Sequence, residues 1–163
     1  MPPQIIIGVM GGASASGEAL TAAYRLGGLL AREGWVLLNG GRAAGIMDAS
    51  ARGARDQGGL TLGILPDDGP GQVSAHIDLA VFTGMGSARN CINVLTSRVV
   101  IACPGGAGTL SEVALALKYG RPVILLNFDV GSAFDRYRKT GQLLSAQSPE
   151  EAIDRIKTLL TEA

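Results

Sequence analysis

Three groups of glycines, each placed directly after a short apolar run, are the part of this sequence best suited to chemistry. Glycine supplies 24 of the 163 residues, roughly double its average share. It lets a backbone approach a bound group closely, and the start of the next helix adds free N–H groups and a positive dipole end. This combination favours a phosphate group, although close packing of a strand against a helix would also explain any single pair. The predicted contacts, including two hydroxyl side chains, are Gly11, Gly12, Ser14, Gly40, Gly41, Gly105, Gly106, Gly108 and Thr109.

Two arginines and two asparagines adjoin these glycines or the helices that follow them. Arg42 comes directly after Gly41, at the mouth of a loop, where a ligand contact and a solvated charge are both open. Arg89 could donate paired hydrogen bonds to a phosphate or carboxylate, or form a surface ion pair. Asn90 and Asn39 could give directional hydrogen bonds to a heterocycle. We therefore expect Arg42, Arg89 and Asn90 to contact the ligand.

Glu112 is the carboxylate that could act in catalysis. It could bind a ribose hydroxyl or stabilise the positive charge that develops when a glycosidic bond breaks. Alternatively, Thr109 and Glu112 could form a capping box, in which Glu112 accepts a hydrogen bond from the backbone N–H of Thr109. His76 follows a polar loop and is expected to be an exposed histidine without a catalytic role. If the protein is an enzyme, Arg89 and Glu112 are the catalytic candidates.

Several classes of protein are not expected from this sequence. The first glycine group lacks the G-x-G-x-x-G spacing and no P-loop lysine motif occurs, which disfavours an NAD enzyme or an NTPase. A net charge of zero gives no basic surplus for nucleic acid. Cys91 and Cys103 are too few for a zinc site and are expected to be reduced thiols of a cytoplasmic protein. No apolar run is long enough to span a membrane, so neither a membrane partner nor a metal is expected.

The elements that must position these residues alternate between strands and helices. Apolar runs predict strands at 4–10, 35–39, 60–65, 77–82, 99–103 and 123–126, with a short last strand at 143–144. Amphipathic patterns predict helices at 16–33, 44–57, 87–97, 109–119 and 148–160. The polar segment 127–141 matches neither pattern. Such alternation is typical of a parallel sheet with right-handed crossovers, and near-continuous apolar strands indicate helices on both sheet faces.

The sequence therefore predicts one α/β domain over residues 1–163, with a Rossmann-like, doubly wound, mostly parallel sheet of six to seven strands. In such a sheet, ligands bind beyond the C-terminal strand ends, where the strand order reverses. Each glycine group follows a predicted strand, so we expect the three groups to lie along that edge.

Residues 104–112 read Pro-Gly-Gly-Ala-Gly-Thr-Leu-Ser-Glu and match the motif P-G-G-x-G-T-x-x-E. Together with Gly-Gly-Arg-Ala-Ala-Gly-Ile-Met at 40–47, they make the chain resemble the family once labelled "possible lysine decarboxylase". That family includes the LOG cytokinin-activating phosphoribohydrolases and the molybdenum cofactor carrier proteins. The resemblance extends over nearly the whole chain.

Within this family, the chain is more similar to the carriers. It is short, and its first glycine group and segment 83–90, Thr-Gly-Met-Gly-Ser-Ala-Arg-Asn, are similar to theirs. LOG enzymes have an arginine–lysine pair where this chain has Arg89 and Asn90.

The resemblance implies a carrier that holds the molybdenum cofactor (molybdopterin), a pterin with a terminal phosphate, on the glycine-rich loops and protects it before transfer. The alternative is a LOG-type nucleoside 5′-monophosphate phosphoribohydrolase that uses Arg89 and Glu112. A third class is a nucleotide-binding sensor or scaffold that signals by assembly.

The third and fourth predicted helices carry apolar residues on wide faces: Ile92, Val94, Leu95, Val113, Leu115, Ala116 and Leu117. Surplus apolar surface in a small chain favours a closed symmetric oligomer. The resemblance points in the same direction, to a homodimer or a homotetramer. The alternative is that these residues fill only the core of one chain.

Overall fold

The computed structural model describes residues 3–162, which contain seven β-strands and six α-helices. The strands are β1 (Ile6–Met10), β2 (Val36–Asn39), β3 (Thr61–Leu65), β4 (Leu79–Phe82), β5 (Val99–Ala102), β6 (Val123–Leu126) and β7 (Leu143–Ala146). The helices are α1 (Gly17–Arg32), α2 (Gly45–Asp56), α3 (Asn90–Thr96), α4 (Ala107–Lys118), α5 (Asp135–Lys139) and α6 (Pro149–Thr161). Short 3₁₀ turns occupy Pro70–Gln72, Gly86–Arg89 and Ser132–Phe134. The predicted domain also includes residues 1, 2 and 163, which lie outside the described residues.

The seven strands form one sheet in the order β4-β3-β2-β1-β5-β6-β7, and each neighbouring pair is parallel. The predicted Rossmann-like α/β fold is thereby confirmed. The order reverses at β1, which pairs with β2 on one side and with β5 on the other. The loops that follow β1 and β5 diverge there and leave a crevice at the C-terminal edge of the sheet.

Two hydrophobic cores lie on opposite faces of the sheet. Alternate residues of β5 divide between them, since Ile101 belongs to the core with Leu26 of α1, whereas Val100 belongs to the core with Val113 of α4. Helices α1, α2 and α6 cover the first face, and α3 and α4 cover the second. Because both sides of the central strands are buried, these strands read as almost continuous apolar runs.

Local sequence signals fix both ends of α1 and the start of α6. The Ser16 hydroxyl accepts a hydrogen bond from the Ala19 N–H at 3.3 Å, and the Ser148 hydroxyl accepts one from the Glu151 N–H at 3.2 Å. Gly34 follows α1 with a φ of +74°, a left-handed conformation that suits glycine. The hydrogen bonds accepted by Ser16 and Ser148 therefore confirm the predicted starts of α1 and α6.

Several predicted boundaries differ from the structure. The predicted helix 87–97 is a 3₁₀ turn followed by α3, and α4 begins at Ala107, before the predicted position 109. Segment 127–141 contains a 3₁₀ turn and the five-residue α5, which is too short to show a helical period. The early start of α4 matters for the site, because it places Thr109 inside the helix.

Strand β4 lies at one edge of the sheet and is exposed along its whole length. Leu79 is 53% exposed, Val81 44% and Phe82 42%. Helices cover both faces of the sheet, as expected, but they leave β4 exposed at this edge. The helix that follows β4 in the chain is α3, which has seven residues and packs against α4 and β1.

The apolar residues expected to form a subunit interface are mostly used within the chain. Those in the second core are Val94, Val113, Ala116 and Leu117. Ile92 and Leu115 pack partly against that core, and Leu95 is 43% exposed. Core packing therefore explains most of this set, and the exposed apolar surface lies elsewhere, above all on β4.

Candidate functional site

A cavity of about 430 Å³ opens at the C-terminal ends of the central strands. The predicted residues that line it are Gly11, Gly12, Gly40, Arg42, Arg89, Asn90, Gly106, Gly108, Thr109 and Glu112. Three other predicted contacts, Ser14, Gly41 and Gly105, are not among the lining residues. The cavity lining also includes Val9, Met10, Met47, Pro66 and Ser87, which were not among the predicted ligand contacts.

Gly12 ties the three glycine groups together. Its N–H donates to the Pro104 carbonyl at 3.0 Å, and its carbonyl accepts from the Ile46 N–H at 3.0 Å. The first bond joins the loop after β1 to the loop after β5. The second joins it to the start of α2, so the three loops form one connected wall of the cavity.

Some of the predicted glycines have a packing reason that needs no ligand. A β-carbon at Gly105 would lie 2.1 Å from Thr109 Oγ1, and one at Gly11 would lie 2.6 Å from the Ile46 side chain. Gly41 has a φ of +79°, and a β-carbon there would lie 2.5 Å from Leu65 Cδ2. These contacts account for the choice of glycine at all three positions.

Gly106 and Gly108 are different, because a β-carbon at either position would meet no atom within 4 Å. Gly106 is the N-cap of α4 and makes no side-chain cap hydrogen bond, and the first turn of α4 contains no acidic residue. The first N–H groups of a helix have no partner within the helix. The start of α4 therefore presents backbone donors and a positive dipole end to open space, which is the arrangement that binds phosphate.

Arg89 lies against the loop after β2 and faces α4. Its side chain is 12% exposed, and Nη1 lies 3.9 Å from Glu112 Oε1 and donates to Asn90 Oδ1. A β-carbon at Gly40 would come within 2.7 Å of Nη2, so this glycine makes room for the guanidinium. Burial lowers the pKa of Arg89, Glu112 opposes that shift, and the charge of Arg42 adds to it.

Glu112 is nearly buried, at 6% exposure. Its Oε1 accepts a hydrogen bond from Asn93 Nδ2 at 2.9 Å. Burial raises the pKa of Glu112 to about 7, against the opposing effects of Asn93 and Arg89. The capping-box alternative for Thr109 and Glu112 is wrong, because α4 starts at Ala107 and the carboxyl group binds Asn93 instead.

Asn90 connects the arginine to the start of α4. It accepts from Arg89, and its Nδ2 donates to Ser111 Oγ at 2.9 Å, which in turn donates to the Gly108 carbonyl at 2.6 Å. Both polar atoms of the side chain are thus engaged by the protein, although Asn90 also lines the cavity.

Asn39 is fully buried. It donates to the Met47 carbonyl at 2.8 Å and to Ser50 Oγ at 3.1 Å, and it accepts from the Gly41 N–H at 2.8 Å. The expectation that it contacts a heterocycle is therefore wrong. Its role is to hold the glycine loop onto α2.

Arg42 reaches toward the loop after β3. Its Nη2 lies 3.0 and 3.2 Å from the two carboxylate oxygens of Asp67. The sequence gives no signal for this pair, because Asp67 is far from Arg42 in the chain. The Nε atoms of Arg42 and Arg89 are both buried and have no hydrogen-bond partner within residues 3–162.

Asn93 is the other functional residue that sequence reasoning missed. An asparagine between Ile92 and Val94, two apolar residues of α3, was the available signal. It is fully buried, and its Oδ1 finds no partner in the described part of the chain. His76, by contrast, is half-buried and is not among the residues that line the cavity.

Neither a metal-binding cluster nor a membrane-spanning helix is found among the described residues. Within them, no group of three or more His, Cys, Asp or Glu side chains is placed to hold a metal ion, and Cys91 and Cys103 are both free. None of the helices in that part of the chain is long and apolar enough to cross a membrane.

The family model described as "LDcluster4: SLOG cluster4 family" matches residues 4–153. Among solved structures, the molybdenum cofactor binding protein from the phototrophic bacterium Rippkaea orientalis is 52% identical, with a TM-score of 0.91, and the match covers 97% of this chain and 98% of that one. The Moco carrier protein from Chlamydomonas reinhardtii is 40% identical, with a TM-score of 0.89 and coverage of 99% and 100%.

A more distant relative is an enzyme. The cytokinin riboside 5′-monophosphate phosphoribohydrolase of Mycobacterium marinum is 32% identical over 103 residues. The match covers 59% of this chain and 52% of the enzyme, so the chain spans about half the length of that relative.

Proposed function

Because the chain belongs to the SLOG cluster4 family, we propose that it is a carrier protein that binds the molybdenum cofactor. The family match supports the resemblance read from segments 40–47 and 104–112. The observation that carries the proposal is the open start of α4, where Gly106 and Gly108 leave the backbone donors accessible. Similarity to a molybdenum cofactor binding protein and to a Moco carrier protein, over nearly the full length of both, indicates the ligand.

The residues of the cavity fit a pterin with a terminal phosphate. The phosphate would accept hydrogen bonds from the N–H groups at the start of α4, next to Gly106 and Gly108. Arg42 and Arg89, which also line the cavity, would offer guanidinium N–H groups to acceptors elsewhere on the ligand. A volume of about 430 Å³ lies in the range of small-molecule sites.

The chain would also shield its ligand. Met10 is almost fully buried and, with Val9, forms the floor of the cavity at the end of β1. The glycine loops and Arg42 form part of its walls, and Asp67 holds Arg42 in place. Bound in this way, the cofactor would keep its reactive part away from solvent until it is transferred.

A second candidate function is a LOG-type phosphoribohydrolase, and one observation favours it. Arg89 and Glu112 lie together in the cavity, and a carboxyl group whose pKa is raised to about 7 can donate or accept a proton at neutral pH. The Mycobacterium marinum relative supports this reading over part of the chain.

Two measurements distinguish the carrier from the hydrolase: the ligand that copurifies with the protein, and the release of adenine from AMP. We expect denaturation of the purified protein to release a fluorescent pterin, and we expect no adenine from AMP. The control for AMP cleavage is Glu112→Gln, which keeps the size of the side chain. Adenine release by the parent at a rate well above that of this variant would contradict the carrier function and favour the hydrolase.

We also propose that the protein is a homodimer or homotetramer. The exposed apolar residues Leu79, Val81 and Phe82 of β4 support an interface between copies, together with Met85 beyond the strand. Isolated apolar side chains are common on surfaces, but a contiguous exposed group marks an interaction site. Since Gly86, next to Met85, lines the cavity, a second copy placed there would also wall the ligand site.

The setting that we propose is the cytoplasm, with residues 1–163 acting as one domain. The free thiols of Cys91 and Cys103 suit a reducing compartment. Burial raises the pKa of the Cys103 thiol to about 12, so this residue is inert and structural.

A further inference from the structure

Glu112 has no part in the proposed carrier function, yet it is a nearly buried carboxyl group that lines the ligand cavity. It lies four residues after Gly108 in α4, which corresponds to about 6 Å along the helix axis. Gly108, Thr109 and Glu112 all line the cavity, and helical side chains lean toward the N-terminus of their helix. The carboxyl group therefore lies within roughly 10 Å of an anion bound at the start of α4.

Few groups in the described part of the chain act on the charge of Glu112. Its charged partner is Arg89, whose Nη1 lies 3.9 Å from Oε1, too far for a hydrogen bond. Helix α3 contributes the neutral donor Asn93, whereas Cys91 of the same helix interacts with Tyr119. Strands β5 and β6 present apolar residues to α4. Burial therefore outweighs the two partners and raises the pKa of Glu112 to about 7, so the group exchanges its proton near neutral pH.

The proton on Glu112 decides the net charge of the cavity. The charged residues that line the cavity are Arg42, Arg89 and Glu112, and Arg42 is paired with Asp67. When Glu112 is ionised, the two positive and two negative charges cancel. When Glu112 is protonated, one positive charge remains, and Arg89 no longer faces a negative charge. An anion in the cavity is therefore attracted more strongly by the protonated form.

We propose that Glu112 determines how tightly the cavity holds an anionic ligand, which binds best when this residue is protonated and is loosened when it ionises. This inference rests on the proposed function and adds a means of release to it. The bound anion favours the neutral carboxyl group, so the protein takes up protons as the ligand binds and returns them as it leaves. The affinity is thus highest at low pH and falls as pH rises through about 7.

The test titrates the full chain with hexyl sulfate, an anion whose single charge does not change near neutral pH. Calorimetry in two buffers of different ionisation enthalpy counts the protons taken up. We expect a few tenths of a proton per sulfate at about pH 7, where the free carboxyl group is about half protonated. Between about pH 6 and about pH 9 the affinity should fall roughly tenfold, from the repulsion of two charges at this distance.

Glu112→Gln should bind hexyl sulfate without proton uptake and with an affinity that does not change with pH. Asp154→Asn, which alters an exposed acidic residue of α6, should keep both effects. Thermal unfolding establishes that each variant is folded. The proposal would be overturned by a parent protein that does not bind hexyl sulfate or binds it without proton uptake, or by equal uptake in parent and Glu112→Gln.

The same measurements keep this inference distinct from the carrier function. If the protein binds the molybdenum cofactor but its affinity for hexyl sulfate is independent of pH, the inference fails and the carrier function stands. If proton uptake depends on Glu112 but the cofactor does not bind, the carrier function fails and the inference stands.

Discussion

A β-carbon added at Gly105 would lie 2.1 Å from Thr109 Oγ1, whereas one added at the next residue, Gly106, would meet no atom within 4 Å. Two adjacent glycines in one motif therefore have different physical reasons. Gly105 allows the loop to pack against Thr109 and Gly12. Gly106 keeps the start of α4 open to a ligand. The same division separates Gly11 and Gly41, which pack against side chains, from Gly108, which does not.

The open space in front of Gly106 predicts the effect of Gly106→Val. The branched side chain would occupy the space in front of the α4 N–H groups, so the affinity for hexyl phosphate should fall at least about tenfold. Stability should fall by no more than about 1 kcal/mol, since the added β-carbon meets no atom within 4 Å and the main cost is a poorer N-cap residue. Gly17→Val is the matched control, because Gly17 also has open space but lies at the start of α1. Equal affinity of the Gly106 variant and the parent by calorimetry would contradict this placement.

Glu112 makes the stability of the folded chain depend on pH. Its pKa is raised from 4.5 to about 7 by burial. Below pH 4.5 the group is protonated in both states, and between 4.5 and 7 only the folded state keeps the proton. The free energy of unfolding therefore decreases as pH rises through this window and is constant above it.

Glu112→Gln removes this dependence and keeps an acceptor for Asn93. Relative to the parent, the variant should gain about 3 kcal/mol of stability between pH 4.5 and pH 8. Urea unfolding at several pH values measures the difference, with Asp154→Asn, an exposed acidic residue of α6, as the control. A difference between parent and variant that does not change with pH would show that the folded state does not raise the pKa of Glu112.

Helices α1 and α2 approach each other through glycines, and this contact sets the position of the second glycine loop. A β-carbon at Gly27 would lie 2.0 Å from the Ser50 carbonyl oxygen, and one at Gly53 would lie 1.9 Å from the Tyr24 carbonyl oxygen. The close approach holds the start of α2 where the Ile46 N–H reaches the Gly12 carbonyl. Helix packing thus positions a wall of the cavity.

Gly27→Ala should therefore be costly. The added methyl group collides with backbone, which cannot move as a side chain can, and the expected loss is about 3 kcal/mol. Gly17→Ala, in the same helix but in open space, should leave stability almost unchanged. Thermal unfolding of both variants measures this contrast. Similar melting temperatures for the two would mean that α1 and α2 are not in close contact.

Elements whose signals are local could be predicted from the sequence. Apolar runs located the strands, and Ser16 and Ser148 located two helix starts, because capping depends on neighbouring residues. The glycine groups predicted which loops form the cavity. The Arg42–Asp67 pair and the Glu112–Asn93 bond could not be predicted, since each joins residues that only the fold brings together. The capping-box alternative failed for the same reason, because a tertiary partner replaced a local one.

At the scale of the whole molecule, the sheet is covered by helices except at β4. This strand exposes apolar side chains on both faces and has a free edge. Exposed edge strands are open to pairing with another chain unless they are protected. We propose that a second copy of this chain packs against β4, where it would lie beside the cavity.

Light scattering should therefore give the mass of a dimer or tetramer at micromolar concentration. The double variant Leu79→Glu/Val81→Glu should shift the protein toward the mass of one chain, because the charges would be desolvated in an interface. Its fold should persist, since both side chains are already exposed. Ile5→Glu, also at an exposed apolar residue, is the control. A parent protein with the mass of a single chain would contradict the proposal.

The most direct test of the central claim is titration of the purified chain with the molybdenum cofactor, followed by absorbance after separation of free ligand. We predict saturable binding with one cofactor per chain, retained in Gly17→Val and strongly weakened in Gly106→Val. The absence of saturable binding by the folded parent, or equal binding by the two variants, would contradict the claim that this protein carries the cofactor on the start of α4.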